Sequence, residues 1–547
     1  MIGTSTFDFY LIRTCIIGLH YLAPLCTLYC IIVVALYGIG ATRYPVPLVV
    51  ELTAVAETLF YLLTRLHYQA YLQRKASHPP ILSNTERREL FDLCNENILD
   101  PEAYLSKWFL GAPLEEIKRE NLKDFFLWAF FNRSGPPGND DAELEEYVDA
   151  VQQLLRRKIE SGRGSAQCLR LTLDRVDMLH RSLIWYWCIS FVDFLAYLSL
   201  LRRGFHFHRT ALSRFFTLFP LRPQTLLAIK KSPAKYLTYW HRQHTSKAKL
   251  PILFIHGIGI GLYPYATFLS DLNSAEGLGG GGPDDQVGII AIEIMPVSSR
   301  ITHPALSKSE ICAEIETILD HHGWDNVVLV SHSYGTVVST HLLKTPSTAQ
   351  LIDSIVLIDP VSILLHLPDV AYNFTRRKPE RANEHLIYYF GSMDMGVSHT
   401  LSRHFFWFEN ILWKKDFEGR NITVSLAGRD LIVNSEAVRR YLTSGSLSCN
   451  TSTASSTTLI ALEATHNDQG GPTTDQTNKA VVKVDEATDE AAKEAAATWN
   501  DGAWKGKGLD IIWFDSLDHA QVFDSHVTRR PLVRAIRAYC AQGMPYS

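Results

Sequence analysis

The chain has 547 residues, of which 46% are hydrophobic and 11% aromatic, and its formal net charge is only −4. This length exceeds one typical domain and allows a large core plus an added module, while the balanced charge argues against a nucleic-acid partner. Nine cysteines, odd in number and scattered, argue against a disulfide framework, and no Cys-x-x-Cys pair suggests a zinc site.

Residues 1–82 are interpreted as a membrane anchor region. No charged residue lies between Arg13 and Arg43, and the apolar run over about residues 15–39 is long enough to cross a hydrocarbon core. A secretory signal would have a shorter apolar region and a small-residue cleavage site, so we interpret this run as a transmembrane helix.

A second apolar helix is predicted over about residues 46–63. It contains Glu51 and Glu57, and carboxylates are costly at membrane depth, so an interfacial or packed helix is favoured over a second span. A re-entrant hairpin stays open. Basic residues follow this segment, whereas only Arg13 precedes the first span, which predicts that the bulk of the chain faces the cytosol.

Residues 83–235 are predicted to form a helical module, because apolar side chains recur at helical spacing in charge-rich segments. The stretch 183–201 differs, since Asp193 is its one charged residue, and it fits a membrane-interface helix or a buried helix equally well. The His206 and His208 pair that follows has no third metal ligand nearby in the sequence, so no metal is expected there.

From residue 236 to residue 547 the pattern alternates between strands and helices, which predicts a mainly parallel sheet with helices on both faces. Within it, an apolar strand runs into Ser331-His332-Ser333-Tyr334-Gly335 and continues as a helix. A serine on such a strained turn needs small neighbours so that strand and helix can approach closely, and Gly335 meets that need. Ser331 stands where the usual motif has glycine.

Three other stretches complete the pattern. A strand ends in His256-Gly257-Ile258 before the serine, a later strand ends in Asp430, and His519 follows the last strand. At these places the sequence resembles the α/β-hydrolase superfamily, in its lipase- and esterase-like serine hydrolases, over roughly residues 235–545.

The resemblance implies an α/β-hydrolase fold with a cap insertion, here preceded by an α-helical membrane-associated N-terminal region. Ser333 would be the nucleophile, His519 the general base and Asp430 the residue that orients the imidazole. The backbone amides of Ile258 and Tyr334 would stabilise the oxyanion. Asp359, which also ends a strand, remains the alternative acid.

Three other histidines in this half of the chain are interpreted without a catalytic role. His256 fits a structural turn histidine, which with Gly257 supports the oxyanion motif. His332 is expected to pack or to line the mouth of the pocket, and His526 to lie on the surface.

Two insertions interrupt the predicted hydrolase domain. A cap is expected over about residues 361–417, where large apolar side chains cluster, and a flexible Ser/Thr-rich and charged insertion over about residues 443–503. The glycine-rich loop at 277–283 lacks the register and lysine of a phosphate cradle, so no cofactor is expected.

The sequence therefore predicts a membrane-anchored serine hydrolase that cleaves acyl esters, lipid-like ones first, through an acyl-enzyme. Its expected partners are the lipid bilayer and an apolar acyl substrate, whereas any protein partner is unknown. Alternatives are a catalytically silent scaffold or binding protein of the same fold, a membrane serine peptidase and an acyltransferase.

Overall fold

The structure is a computed structural model that describes residues 3–38, 48–272, 283–444, 458–462 and 506–542. Most of the insertion predicted over 443–503, and all but the last residue of the glycine-rich loop at 277–283, lie outside the described residues.

A nine-stranded sheet forms the centre of the C-terminal domain. Its strands are β1 (His206–His208), β2 (Thr238–Arg242), β3 (Ile252–Ile255), β4 (Ile289–Glu293), β5 (Val327–His332), β6 (Ile352–Ile358), β7 (Asn421–Ala427), β8 (Thr458–Leu462) and β9 (Leu509–Phe514). They lie in the order β1-β2-β4-β3-β5-β6-β7-β9-β8. β2 is antiparallel to both β1 and β4, and all other neighbours are parallel.

Helices cover both faces of this sheet, and the predicted fold class is confirmed. They are α8 (Gln224–Leu227), α9 (Ala266–Asp271), α10 (Lys308–His322), α11 (Gly335–Leu343), α12 (Pro346–Ala349), α17 (Ser435–Thr443) and α18 (His526–Gln542). Because both faces are covered, central strands such as β5 are buried along their whole length and read as continuous apolar runs. Two apolar cores result, one on each side of the sheet.

A helical insertion lies between β6 and β7, in the place predicted for the cap. Its helices are α13 (Pro368–Thr375), α14 (Ala382–Leu386), a π-helix (Ile387–Ser392), α15 (Met395–Arg403) and α16 (Trp407–Asn410). Many of its large side chains are buried against the sheet domain, among them Leu365, Leu401 and Phe405. The insertion therefore forms a layer over the carboxyl ends of the central strands.

The N-terminal region begins with two long helices, α1 (Thr6–Tyr37) and α2 (Leu48–Leu72), which pack against each other. α1 begins earlier than the predicted start near residue 15, since Ser5 caps it through a bond with Asp8, and α2 continues beyond residue 63. Among the described residues, α1 and the later helix α7 (Leu183–Arg202) are long and apolar enough to cross a membrane.

Glu57 in α2 has a definite structural role. Its carboxylate is fully buried and accepts hydrogen bonds from the backbone amides of Leu183 and Ile184, at 2.8 and 2.9 Å. These amides belong to the first turn of α7, where a helix has unpaired donors and a positive dipole end. The carboxylate that argued against a second span therefore joins α2 to α7.

Asp193 shows how α7 meets the sheet domain. Its carboxylate is buried and accepts from Arg222 at 2.7 Å and from Arg300 at 2.6 Å, and Arg222 also donates to Glu293 at the end of β4. One side of α7 is therefore packed on protein, while large apolar side chains such as Trp187 and Phe191 on the helix remain exposed. The buried-helix interpretation of the 183–201 stretch fits the packed side of α7, and the membrane-interface interpretation stays a prediction.

Between α2 and α7 lies a separate helical layer with its own aromatic core. It contains α3 (Asn84–Glu96), α4 (Pro101–Trp108), α5 (Arg119–Phe131) and α6 (Asp141–Leu155). It docks on the cap through a hydrogen bond from the Trp407 indole to the carbonyl of Ala129 (2.8 Å) and an ion pair between Lys107 and Asp369 (2.7 Å).

Candidate active site

Ser333 lies on a sharp turn between β5 and α11. Its φ of +52° is in the left-handed region, which is strained for a residue with a side chain. Only glycine fits two positions beside it: a Cβ on Gly335 would lie 2.4 Å from the carbonyl oxygen of Ile255, and one on Gly257 would lie 2.8 Å from the Cβ of Ser333 itself. Ser331 fits the position where the usual motif has glycine, and its hydroxyl accepts a hydrogen bond from Ser339 at 2.8 Å.

The hydroxyl of Ser333 lies in a row with two other side chains from distant strand ends. Its Oγ is 2.8 Å from Nε2 of His519, and Nδ1 of the same ring is 2.7 Å from Oδ2 of Asp430. The other oxygen of Asp430 accepts from the amides of Ile432 and Val433, which holds the carboxylate in place. With Nδ1–H donated to a carboxylate, Nε2 is free to accept the serine proton.

Asp359, the alternative acid, lies close to this row and has different partners. Its two oxygens accept from the amides of Ala427 (3.1 Å) and Ala520 (2.8 Å), and one lies 3.8 Å from Nε2 of His332. Burial alone would raise the pKa of Asp359, but His332 and His519 nearby hold it below its ordinary value. Asp359 therefore places a second negative charge near His519, whose imidazole is bonded to Asp430.

The charge around His519 favours its protonated form. Burial opposes the imidazolium, but the Asp430 carboxylate outweighs burial, with Asp359 and Asp518 assisting, and raises the pKa of His519 from 6.5 to about 9. A base with a raised pKa takes up a proton readily, and the imidazolium so formed is stabilised where it stands.

Two backbone amides beside Ser333 could form an oxyanion site. The amides of Ile258 and Tyr334 donate to no acceptor within the part of the chain that the structure describes, and both residues line the cavity above the serine. Unpaired N–H groups suit a developing negative charge, and that of Tyr334 also lies at the start of α11, at the positive end of the helix dipole.

The histidine of the upstream turn has a structural position. His256 is fully buried, its Nδ1 lies 2.7 Å from the carbonyl of Gly257, and its Nε2 accepts from the amide of Ile294 at 2.9 Å. Burial lowers its pKa to about 4, so the ring is neutral and holds the turn against the next strand. His332 is also buried and pairs with the hydroxyl of Tyr265, whereas His526 is exposed.

An apolar cavity lies over Ser333. The cap contributes several of its walls, including Val370, Phe374 and Leu401, and the helical layer contributes Trp108 and Trp128. The two tryptophans are contributors that the sequence reasoning missed. They follow the ordinary helical spacing of a core, so no local signal distinguishes them.

The His206 and His208 region also differs from expectation. His241 and His322 approach His208, and ring nitrogens of the three residues lie within 4.8 Å of one another. A third and a fourth histidine therefore lie near this pair in the folded chain, and the prediction that no further ligand is near was wrong. Burial lowers the pKa of His208 to about 3 and that of His241 to about 2, and the His241 ring stacks face to face on His322 at 4.0 Å. The rings are thus packed as neutral aromatic groups.

The sheet order, the cap position and the serine turn define a domain with the hydrolase fold of esterases and lipases. Residues 251–390 match the family model described as alpha/beta hydrolase fold, and this part of the chain has the α/β-hydrolase fold that the sequence resemblance predicted.

Solved structures with a similar fold are only distantly related. A bacterial membrane phospholipase A shares 9% identity (TM-score 0.35; 66% of this chain and 94% of that chain covered). A putative lipase from Acinetobacter baumannii shares 10% (0.33; 63% and 93%), and a carboxylesterase structure from the thaumarchaeon Nitrososphaera gargenis 12% (0.31; 57% and 98%). A search of curated proteins found no match.

Proposed function

We propose that the protein is a membrane-associated serine hydrolase that cleaves acyl esters of apolar, lipid-like substrates. The observation that carries the proposal is the bonded row Ser333–His519–Asp430, with distances of 2.8 and 2.7 Å, at the floor of an apolar cavity. Nucleophile and base within hydrogen-bond reach, with the base held by a third group, are the geometric requirement for covalent catalysis by serine.

In the first half of the reaction, Ser333 Oγ attacks the ester carbonyl carbon while its proton passes to Nε2 of His519. The carbonyl electrons move onto the oxygen, where the amides of Ile258 and Tyr334 donate to it. Where one such donor has been removed from other hydrolases, the loss is about 3 kcal/mol. Collapse of this intermediate breaks the carbon–oxygen bond to the alcohol, which leaves with the proton from His519.

In the second half, water replaces the alcohol. His519, neutral again, takes a proton from water as the water oxygen attacks the acyl carbon, and then returns it to Ser333 Oγ as the acyl–oxygen bond breaks. The carboxylates that raise the pKa of His519, Asp430 above all, stabilise its imidazolium form in both halves of the reaction.

Two features support a substrate met at a membrane. The cavity walls are mostly aliphatic and aromatic, which favours an apolar acyl group over a peptide. Large apolar side chains are exposed along α1, on the outer side of α7 and in the segment that contains Leu227 and Ile229. Such an apolar surface fits contact with a bilayer.

Labelling with a fluorophosphonate tests the mechanism, because only an activated serine reacts. We expect membranes with the wild-type protein to be labelled, Ser333→Ala to be unlabelled and Ser331→Ala to remain labelled. Ser331→Ala is the matched control, since it removes a buried hydroxyl two residues away that is bonded to Ser339. Absence of labelling in folded wild-type protein would refute the hydrolase mechanism and favour a non-catalytic binding protein.

A further inference from the structure

A second apolar cavity lies in the helical layer, next to the cavity over Ser333. It lies among α3, α4, α5 and α6, with walls that include Phe91, Tyr104, Phe126, Val151 and Leu154. Protein interiors are normally close-packed, so an apolar-lined opening in the aromatic core of this helical layer offers room for an apolar group.

Three tryptophans separate the two cavities. Trp108, Trp128 and Trp407 each line both of them, so the cavities meet at shared side chains. Each indole N–H is already bonded: Trp108 to the carbonyl of His366 (3.3 Å), Trp128 to the hydroxyl of Thr172 (3.0 Å) and Trp407 to the carbonyl of Ala129 (2.8 Å). The rings are therefore held in place, and the three tryptophans form the boundary that the two cavities share.

The chemistry of the second cavity selects an uncharged ligand. Among the residues that the structure describes, no lysine, arginine, aspartate or glutamate lines it. His366, in its wall, is buried, and burial lowers its pKa to about 3, so this ring is also neutral. A charged head group would lose its hydration here without finding a partner, whereas a hydrocarbon chain loses nothing.

We propose that this second cavity, which we call the distal chamber, holds the far end of a long acyl chain whose carbonyl carbon lies at Ser333. This inference rests on the proposed function, because the carbonyl carbon must be placed at the nucleophile. It assigns the helical layer a part in substrate selection. The cavity under the cap binds the first part of the acyl chain, and the distal chamber binds the end of chains long enough to pass the three tryptophans.

Transfer of a methylene from water to an apolar site is worth about 0.8 kcal/mol, or roughly fourfold in affinity. For the wild-type protein in lipid nanodiscs, we therefore expect kcat/KM on p-nitrophenyl esters to rise through the series from acetate and butyrate to octanoate, dodecanoate and palmitate. The rise should continue for chains that enter the distal chamber.

Leu154→Trp and Val151→Phe fill the distal chamber from α6. We expect both to leave acetate and butyrate hydrolysis within about twofold of wild type, and to lower kcat/KM on the longest esters by tenfold or more, which corresponds to two or more methylenes at the value above. Gln153→Trp is the matched control, because it adds the same side chain on the exposed side of the same helix. A profile that falls equally at every length, or does not change in either filled variant, would overturn the proposal.

Binding without turnover separates this inference from the proposed function. Ser333→Ala should bind cis-parinaric acid, with an increase in probe fluorescence, and addition of Val151→Phe should weaken that binding at least tenfold. If fluorophosphonate labels Ser333 but neither the ester profile nor probe binding responds to the filled chamber, the distal chamber is refuted and the hydrolase stands. If probe binding responds and no serine is labelled, the hydrolase is refuted and the apolar-chain site stands.

Discussion

Replacement of Asp430 by asparagine tests the electrostatics of the row most directly. The raised pKa of His519, from 6.5 to about 9, corresponds to about 3 kcal/mol in favour of the imidazolium. Most of this comes from the carboxylate that Asp430→Asn removes, so we expect kcat/KM to fall by at least roughly a hundredfold. Loss of the correct imidazole tautomer can extend the fall towards about ten-thousandfold, the size seen for the same change in serine proteases.

The same variant should move the pH profile. Only neutral His519 can accept the serine proton, so wild-type kcat/KM should rise with pH towards a plateau above the raised pKa, near 9. Without the Asp430 carboxylate, only Asp359 and Asp518 offset burial, so the rise should occur at lower pH than in the wild type.

The assay is kcat/KM on p-nitrophenyl butyrate across a pH series, with Asp359→Asn as the matched control. Asp359 accepts from backbone amides and lies farther from the ring, so its replacement should move the profile less and cost less activity. A profile that stays in place in Asp430→Asn and moves in Asp359→Asn would refute the assignment and make Asp359 the orienting acid.

Three further outcomes are expected. Gly257→Ala places a methyl group 2.8 Å from the Cβ of Ser333, so the rate of fluorophosphonate labelling should fall roughly a hundredfold while circular dichroism stays that of the folded protein; unchanged labelling would contradict the tight turn. Arg222→Met leaves two buried carboxylates without their shared partner and should cost roughly 3–5 kcal/mol in the free energy of unfolding, seen as a lower thermal midpoint. Arg440→Met, at an exposed ion pair, is its control and should change stability by less than about 0.5 kcal/mol. The helix Thr6–Tyr37 should keep the protein in the pellet when membranes are washed with alkaline carbonate, and release into the supernatant would refute an integral anchor.

The strand–turn–helix around Ser333 could be predicted because its requirements are local. An apolar run bounded by small residues specifies a buried strand, and a glycine two positions after the serine permits the close approach to Ile255 that the structure shows. The fold class follows from the alternation of such runs with helical segments. The match of residues 251–390 to the alpha/beta hydrolase fold model confirmed the resemblance.

The choice between Asp430 and Asp359 could be argued from motif form but not from geometry. β6 and β7 are parallel neighbours whose carboxyl ends meet at one edge of the sheet, so both carboxylates reach the region of His519. Which one bonds to Nδ1 depends on differences of a few ångströms in the loops after these strands.

The helix over 183–201 shows a similar limit. A run of nineteen residues with a single charge suits a membrane or a protein interior, and only the positions of Arg222 and Arg300 decide where Asp193 is neutralised. In the same way, the pair His206 and His208 gave no indication that His241 and His322 would approach from other elements.

The sequence by itself determined the elements whose causes lie within a few residues: the apolar helices, the buried strands, the strained serine turn, and the order of serine, acid and histidine along the chain. The tertiary structure alone decided what depends on groups far apart in the chain, namely the bonded row, the carboxylate of Glu57 on the first turn of α7, and the two cavities that meet at Trp108, Trp128 and Trp407. The physical reason is that hydrophobic periodicity records how each segment buries its own surface, whereas a cavity or a hydrogen bond between distant segments depends on which surfaces the packed chain brings face to face.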